Sequence, residues 1–276
     1  MGAERTPALA LRDVGFAYGT RTVLAGIGLD VAAGEVVGLL GPNGSGKSTI
    51  VRIACGVLGG YRGSVRLAGD ELRGLAPREV ARRVAVVPQE PTFSFGYTAL
   101  EVVLLGRHPH LAGSIFESAR DLELAREALG RCGALELGSR AIHELSSGER
   151  QRVVFARALA QQAPVLLLDE PTSFLDVRHQ VELCDLVAEL ARAQGRAVLA
   201  VLHDLNLAAE YCDRIVLLQG GRVAAAGPTA EVLTYANLTR VYETEIYVDV
   251  NDLTGKLLVA PLSRRRRPGS AGGPGA

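Results

Sequence analysis

The 276-residue sequence contains no tryptophan, one methionine and only four cysteines. No two of these cysteines form a CxxC pair, so neither a disulfide framework nor a zinc site is indicated. No apolar run approaches the ~20 residues that a transmembrane helix requires, and the first residues lack the pattern of a signal peptide. We therefore expect a protein of a reducing compartment that does not cross a membrane by itself. The cysteines are Cys55, Cys132, Cys184 and Cys212.

Net charge is absent as well, because 30 basic residues balance 30 acidic ones. Four of the arginines, at positions 264–267, stand together near the C-terminus, so the rest of the chain is slightly acidic and is not expected to bind nucleic acid. Lysine occurs only at Lys47 and Lys256, and the other 28 basic residues are arginines. This scarcity indicates that position 47 requires the lysine side chain itself.

The pattern of apolar residues predicts an α/β fold. Alternation between glycine-containing turns over residues 9–40 indicates mostly antiparallel strands. From Pro91 to about Gln162 the pattern is helical, with Thr98 and Glu101 spaced as a capping box; beyond it, strands and helices alternate as in a parallel sheet wrapped by helices. We expect a single domain over residues 1–260. It comprises a core (1–90 and 163–245), an inserted helical subdomain (91–162), a C-terminal extension (246–262) and a disordered tail (263–276).

The segment GPNGSGKS, residues 41–48, matches the phosphate-binding pattern GxxxxGK[ST] between an apolar strand and a helix. Its consecutive N–H groups would surround a β-phosphate at a helix N-terminus. Lys47 would lie between the β- and γ-phosphates, and the Ser48 hydroxyl would bind Mg²⁺. An accidental glycine-rich turn is the alternative. The candidate nucleotide-binding residues here are Gly41, Pro42, Asn43, Gly44, Ser45, Gly46, Lys47, Ser48 and Thr49.

Two further apolar strands end in polar residues. VLLLDEP brings Asp169 toward the Mg²⁺, and Glu170 is placed to polarise the attacking water. His203 follows the strand RAVLAVLHD, so it would lie at the same edge of a parallel sheet, where we interpret it as a γ-phosphate sensor that orients Glu170. The alternatives are two solvated acids and a structural histidine.

Five segments together, GPNGSGKST, VVPQE, LSSGERQR, VLLLDEPTSFLD and VLHD, resemble the nucleotide-binding subunit of ABC transporters in order and spacing, from about residue 8 to 245. The resemblance implies a P-loop NTPase with a RecA-like core, an antiparallel β subdomain and an inserted α-helical subdomain. It also implies an ATPase that uses ATP and Mg²⁺. By the same resemblance Tyr18, otherwise only a strand aromatic, stacks on adenine, Gln89 joins the Mg²⁺ to the helical subdomain, and Asp176 contacts the opposite subunit.

Within LSSGERQR, the residues Ser146, Ser147 and Gly148 open a helix and form a second anion-binding turn. The phosphate loop already encloses its own nucleotide from one side, so we expect this turn to bind the ATP of another copy. Two chains arranged head to tail would bury two ATP molecules. The segment departs from the family's LSGGQ at Ser147 and Glu149, and the Glu149 carboxylate would repel a γ-phosphate unless it points away.

The aromatic residues Phe93, Phe95 and Tyr97 form either a small core beneath the helical subdomain or a groove for a cytoplasmic helix of a membrane partner. The resemblance implies transmembrane permease subunits, indirectly a substrate-binding protein, and a place on the cytoplasmic face of the cell membrane. The segments LGRHPHL, EPTSFLDVRHQ and VLHDLNLAAEYCD are similar to those in the ATP-binding subunits of importers of iron chelates (siderophores), haem and cobalamin. They do not distinguish among these three substrates.

Four alternatives remain open. An ABC ATPase of another transporter class would share all five segments. A soluble ABC ATPase acting on ribosomes would normally carry two cassettes, and a chromosome or repair ATPase would interrupt its cassette with a coiled coil. A P-loop kinase would lack the turn at Ser146.

Overall fold

The computed structural model describes residues 6–89, 93, 96–111 and 116–263. The tail that we predicted to be disordered lies almost entirely outside the described residues, as does Phe95. Within the described residues, no helix combines the length and the apolar character needed to span a bilayer.

An antiparallel sheet begins the chain, as its alternating pattern predicts. Its order is β2-β1-β4-β5, and Leu9 of β1 pairs with Val31 of β2 on one side and Leu67 of β4 on the other. The strands are β1 (Leu9–Tyr18), β2 (Arg21–Val31), β4 (Arg62–Leu67) and β5 (Asp70–Glu71).

The second sheet has the order β10-β9-β3-β8-β7-β6, in which only the β9–β10 pair is antiparallel. Strands β3, β7 and β8 are buried along their whole length, as in parallel sheets covered by helices on both faces. The strands are β3 (Val36–Leu40), β6 (Val84–Val87), β7 (Val165–Asp169), β8 (Ala197–Val201), β9 (Arg214–Gln219) and β10 (Arg222–Pro228).

Between β6 and β7 the described residues form three α-helices, namely α3 (Ala99–Leu104), α4 (Ala119–Arg131) and α5 (Ser147–Ala160), together with short 3-10 turns. The predicted capping box begins α3, since the Thr98 hydroxyl accepts from the Glu101 amide and the Glu101 carboxylate accepts from the Thr98 amide. A buried ion pair helps to connect α4 and α5. Arg107 Nε lies 2.9 Å from Asp121 of α4, and Arg107 Nη1 donates to the Ala160 carbonyl of α5.

The remaining helices flank the sheets. They are α1 (Lys47–Ala54), α2 (Pro77–Arg83), α6 (Val177–Arg192), α7 (Leu205–Tyr211), α8 (Thr229–Val232) and α9 (Tyr235–Tyr242). A terminal hairpin of β11 (Ile246–Val250) and β12 (Leu257–Pro261) packs on α7, where the Asn206 amide bonds both the N–H and the carbonyl of Val259. The sequence analysis did not anticipate α2, α8 or α9.

The α/β fold class is confirmed, with both sheets and the helical segment where the sequence placed them. Phe93 and Tyr97 are partly buried and pack against the core of the helical and parallel-sheet layers. For these two aromatics the packing favours the small-core interpretation over an open groove.

Candidate active site

The loop between β3 and α1 brings the GPNGSGKS segment to the carboxyl edge of the parallel sheet. Two of its glycines are required by the geometry. A Cβ on Gly41 would lie 2.3 Å from the Leu218 carbonyl, and one on Gly46 would lie 2.5 Å from the Leu24 side chain; both residues also have positive φ angles, of 143° and 105°. The loop is therefore pressed against its neighbours at both glycines.

Lys47 reaches back across this loop. Its Nζ donates to the carbonyls of Gly41 at 2.7 Å and Pro42 at 3.0 Å, and the residue is only 6% exposed. Burial lowers the pKa of the ammonium, while the charges of Glu170 and Asp169 oppose that shift. A buried ammonium gains most from a phosphate placed beside it, because the added anion offsets the cost of desolvation.

Ser48 and Asp169 meet at the next position. The Ser48 hydroxyl donates to Asp169 Oδ1 at 3.2 Å, and burial at the end of β7 raises the pKa of that carboxyl. A hydroxyl, a carboxylate and the nearby Gln89 amide oxygen are hard ligands that suit Mg²⁺. Among the described residues no group of three or more His, Cys, Asp or Glu side chains forms a metal site.

Glu170 follows Asp169 with a left-handed backbone, φ 52°, and its amide donates to the Val201 carbonyl of β8. Its carboxylate accepts three hydrogen bonds: from Gln89 Nε2 at 2.6 Å, from His203 Nε2 at 2.5 Å and from the Ser173 hydroxyl at 3.3 Å. Gln89 and His203 were predicted to lie at this site, whereas Ser173 was not, although it lies within the segment VLLLDEPTSFLD. Three donors fix the orientation of this carboxylate at the sheet edge.

Glu170, Gln89, His203 and most of the phosphate loop line a cavity of about 580 Å³. Tyr18, at the far end, is 47% exposed and rests edge-on against Phe16, with ring centroids 4.9 Å apart. Its exposed face is free to stack on a planar ring. Arg21 and Val23 also line the cavity, and the sequence analysis missed both. The lining consists of Tyr18, Arg21, Val23, Asn43, Gly44, Gly46, Lys47, Ser48, Thr49, Gln89, Glu170 and His203.

The turn of Ser146, Ser147 and Gly148, hereafter the signature turn, begins α5. Its capping box fixes the Glu149 side chain, whose carboxylate accepts from the Ser146 amide at 2.8 Å and lies 3.2 Å from Arg140. The Ser146 amide and hydroxyl are the main causes that lower the pKa of Glu149. The spacing Ser146-x-x-Glu149 is itself the capping-box pattern and could have predicted this orientation.

Asp176 lies beside the signature turn as the N-cap of α6, and both face a second cavity of about 460 Å³. This cavity shares no lining residue with the first. The predicted site residues thus form two groups: the phosphate loop with Asp169, Glu170, Gln89, His203 and Tyr18, and separately the signature turn with Asp176.

The sequence profile of the ABC transporter family matches residues 24–173, more than half of the chain. The chain belongs to the ABC transporter family. Among the relatives of this ABC protein, the hemin import ATP-binding proteins of Streptomyces coelicolor and Nocardia farcinica are 45% and 46% identical. Each alignment covers 88% of this chain, and 86% and 83% of the respective relative.

A cobalamin import ATP-binding protein of Halobacterium salinarum is 43% identical over 90% of this ABC protein, which spans 61% of that relative's length. Among solved structures, a chain of a metal-chelate type ABC transporter in an inward-facing conformation matches with a TM-score of 0.81, at 27% identity, over 94% of this chain and 99% of that one. The dimeric cassette MJ0796 matches with a TM-score of 0.72, at 29% identity, over 80% and 98%.

Proposed function

We propose that this protein is the ATP-hydrolysing subunit of a membrane importer. The observation that carries the proposal is the set of hydrogen bonds that joins Glu170 to Gln89 and His203 beside the phosphate loop. A carboxylate held in this way can accept a proton from a water that attacks the γ-phosphate. The two substrates are ATP and water, and the products are ADP and phosphate.

Each group of the first cavity has one task in this reaction. The phosphate-loop amides and Lys47 hold the β- and γ-phosphates, and the exposed face of Tyr18 carries the adenine. Ser48, Asp169 and Gln89 would hold Mg²⁺, which when bound neutralises phosphate charge. His203 donates through Nε2 to Glu170 and keeps its carboxylate directed at the position of the attacking water.

The second group completes the site of another copy. In α5 the N–H groups of Ser147 and Gly148 have no partner among the hydrogen bonds of the described residues, as expected at a helix start. These two amides can donate to a γ-phosphate of the other copy, and the Glu149 carboxylate beside them is engaged by the Ser146 amide and by Arg140. We propose that two copies associate head to tail, each signature turn on the other's ATP, and that hydrolysis reopens the pair.

A groove of about 740 Å³ lies next to the nucleotide cavity and supports the permease partner. Its walls come from α1, α2 and the turn at Leu105–His110, and Gln89 and Asp169 reach its floor. A cytoplasmic segment of a membrane subunit seated there would contact the residues that hold Mg²⁺. We accordingly place this subunit on the cytoplasmic face of the membrane, with a substrate-binding protein acting through the permease.

For the substrate we propose an iron chelate, haem or cobalamin. The support is the naming of the relatives for hemin and cobalamin import and of the structural neighbour for a metal chelate. Deleting the gene should abolish growth on limiting hemin, siderophore or cobalamin. Normal growth on all three, with impaired efflux of a drug or lipid, would show instead an ABC ATPase of another transporter class.

The ATPase proposal is tested with Glu170→Gln. This variant should bind ATP, lose kcat by about 100-fold or more because the general base is gone, and accumulate as a dimer with ATP in light scattering. Adding Gly148→Asp should abolish the dimer and leave the ATP affinity of the monomer intact. If Gly148→Asp instead weakens ATP binding to the monomer as severely as Lys47→Ala does, the signature turn serves its own chain and the head-to-tail pair is wrong.

A further inference from the structure

A chain of hydrogen bonds joins the signature helix α5 to the Asp176 turn. Arg152 Nη1 lies 2.6 Å from His179 Nε2, and His179 Nδ1 lies 2.8 Å from Asp176 Oδ1. A guanidinium has only donors, so Nε2 must accept and the ring proton must sit on Nδ1, directed at Asp176. The imidazole in this arrangement is neutral. Neither Arg152 nor His179 has a task in the hydrolytic site described above.

The other charges around His179 have partners of their own. Arg178 pairs with Glu182 at 2.8 Å on the same helix, and Arg131 of α4 pairs with Glu189 at 2.8 Å. Arg152 differs, because its Nε is buried with no hydrogen-bond partner among the described residues. The guanidinium is held by its hydrogen bond to His179 and by electrostatic attraction to the nearby carboxylates of Glu149, Asp176 and Glu182.

Both ends of this chain of hydrogen bonds, Arg152 and Asp176, line the cavity beside the signature turn. Asp176, Arg152 and His179 line it together with Ser146 and Gly148. Arg152 lies on the same helix as the signature turn, less than two turns beyond its start. A shift of the Asp176 turn relative to α5 would therefore have to break one of these two hydrogen bonds.

We propose that Arg152 and His179 are positioning residues that hold Asp176 and the signature turn in one fixed arrangement, and that protonation of His179 disconnects them. The proposal rests on the head-to-tail ATP dimer, whose partner nucleotide that arrangement receives. A protonated ring carries N–H on both nitrogens, so Nε2 would face a guanidinium donor of like charge. The bond to Arg152 would be lost while the bond to Asp176 remained.

Two substitutions distinguish a hydrogen-bonding role of His179 from a role in side-chain packing alone. His179→Leu removes both bonds, whereas His179→Gln keeps one donor and one acceptor and does not titrate. In the purified full chain, His179→Leu should lower kcat about fivefold or more, the size expected for losing a hydrogen bond to a charged group, and His179→Gln should restore most of it. The ATP affinity of the monomer should be the same in both, because the phosphate loop is elsewhere.

The pH profile is the sharper measurement. The ratio of wild-type kcat to His179→Gln kcat should fall by about fivefold between pH 8 and pH 6, because a protonated imidazole cannot accept from Arg152 and glutamine does not change its protonation. Any effect of pH on the hydrolytic site is common to both proteins and cancels in the ratio. His143→Gln, the same change at an exposed histidine of the helical segment, should have the wild-type profile.

The possible failures are distinct. A flat ratio for His179→Gln, or wild-type kcat in His179→Leu, would overturn the positioning chain while ATP hydrolysis and dimer formation stand. Absence of an ATP-dependent dimer in the Glu170→Gln background would remove the proposed function instead. Histidine nitrogen NMR at pH 8 tests the chain without any dimer, because a proton found on Nε2 of His179 would contradict it.

Discussion

Glu170 shows how a single residue serves chemistry at the expense of backbone preference. Its φ of 52° lies in the left-handed region that an L side chain rarely adopts. Its amide bond to Val201 and its carboxylate bonds to Gln89 and His203 hold it there. The conformation aims the carboxylate at the cavity and not into the sheet. Strain at this residue would be the cost of placing the proposed general base.

This conformation leads to a stability prediction. Glu170→Gly should be more stable than Glu170→Ala by about 1 kcal/mol, because glycine adopts positive φ without steric penalty. Both variants should be inactive, so urea unfolding is the measurement. The same pair at Glu189, inside helix α6, is the control, where alanine should be the more stable residue. Equal stability of the two Glu170 variants would show that the backbone is not strained.

Lys47 supports a second prediction at this scale. Lys47→Arg keeps the charge but replaces a compact ammonium with a wide planar fork, and the space between the Gly41 and Pro42 carbonyls is enclosed. ATP affinity, measured with a fluorescent nucleotide, should fall by about tenfold or more, as for loss of a charged hydrogen bond. Lys256→Arg, at the only other lysine, should bind ATP as the wild type does. Retained affinity in Lys47→Arg would mean that charge alone suffices.

Local sequence was sufficient for the residues whose position depends on a strand end or a loop. Ser48, Asp169 and His203 fall where the pattern of apolar strands predicted, because parallel strands deliver their carboxyl ends to one edge. Arg21 was missed, since its approach to the cavity depends on a turn that no pattern specifies. Ser173 was missed although it lies in a segment that carries the family resemblance, because its hydrogen bond to Glu170 depends on the conformation of the turn. The orientation of Glu149 was left open although its capping spacing was present in the sequence.

At the scale of elements, α9 supports the phosphate loop from a distance of 200 residues in the chain. The Tyr242 hydroxyl accepts a hydrogen bond from the Gly41 amide at 3.1 Å, and burial raises the pKa of that phenol. No sequence pattern predicted either helix α9 or its hydrogen bond to Gly41. The contact couples the C-terminal part of the domain to the first residue of the loop that holds phosphate.

We expect Tyr242→Phe to weaken ATP binding about fivefold and to lower the free energy of unfolding by about 1 to 2 kcal/mol, because the Gly41 amide loses its partner. Nucleotide titration and urea unfolding measure the two effects. Tyr235→Phe removes an exposed hydroxyl from the same helix and should do neither. Wild-type affinity in Tyr242→Phe would show that the loop holds its shape unaided.

The buried pair of Arg107 and Asp121 gives a pH prediction. The Ser118 hydroxyl and Arg107 lower the pKa of Asp121 from 3.8 to about 2. A folded pKa below the unfolded one adds stability that is complete above about pH 4 to 5 and is lost as pH falls toward 2. The stability gap between wild type and Asp121→Asn should therefore be about 2 kcal/mol at pH 7 and close between pH 4 and 2. Urea unfolding across this pH range measures the difference, with Asp252→Asn as an exposed control. A difference in free energy of unfolding that does not depend on pH would contradict the role of the ion pair.

At the scale of the whole molecule, the separation of the two cavities determines what one copy can do. The cavity at the phosphate loop and the cavity at the signature turn share no lining residue. A single copy would therefore supply two different halves of an ATP site. Sequence alone could predict this division only through the family resemblance. The distance between the halves depends on how the helical segment packs on the sheet, which no local pattern encodes.

Complementation between two defective chains is the consequence. A Lys47→Ala chain mixed with a Gly148→Asp chain should form a dimer in which both defects fall on one composite site and the other site is intact. ATP-dependent association should reappear in the mixture, with each variant alone as the negative control. No association at any mixing ratio, with both variants folded by circular dichroism, would contradict the shared sites.

The order of the parallel sheet also determines when the protein can become functional during its synthesis. Strand β3, which carries the phosphate loop, pairs only with β8 and β9, and Val36 meets Val198. About 160 further residues must be translated before that partner exists, a wait of about 10 to 30 s at ~5–20 residues per second. A nascent chain ending at residue 196 should therefore fail to retain ATP despite its complete phosphate loop, and one ending at residue 245 should succeed. Until then β3 is an unpaired apolar strand, and chaperones would have to protect it from aggregation.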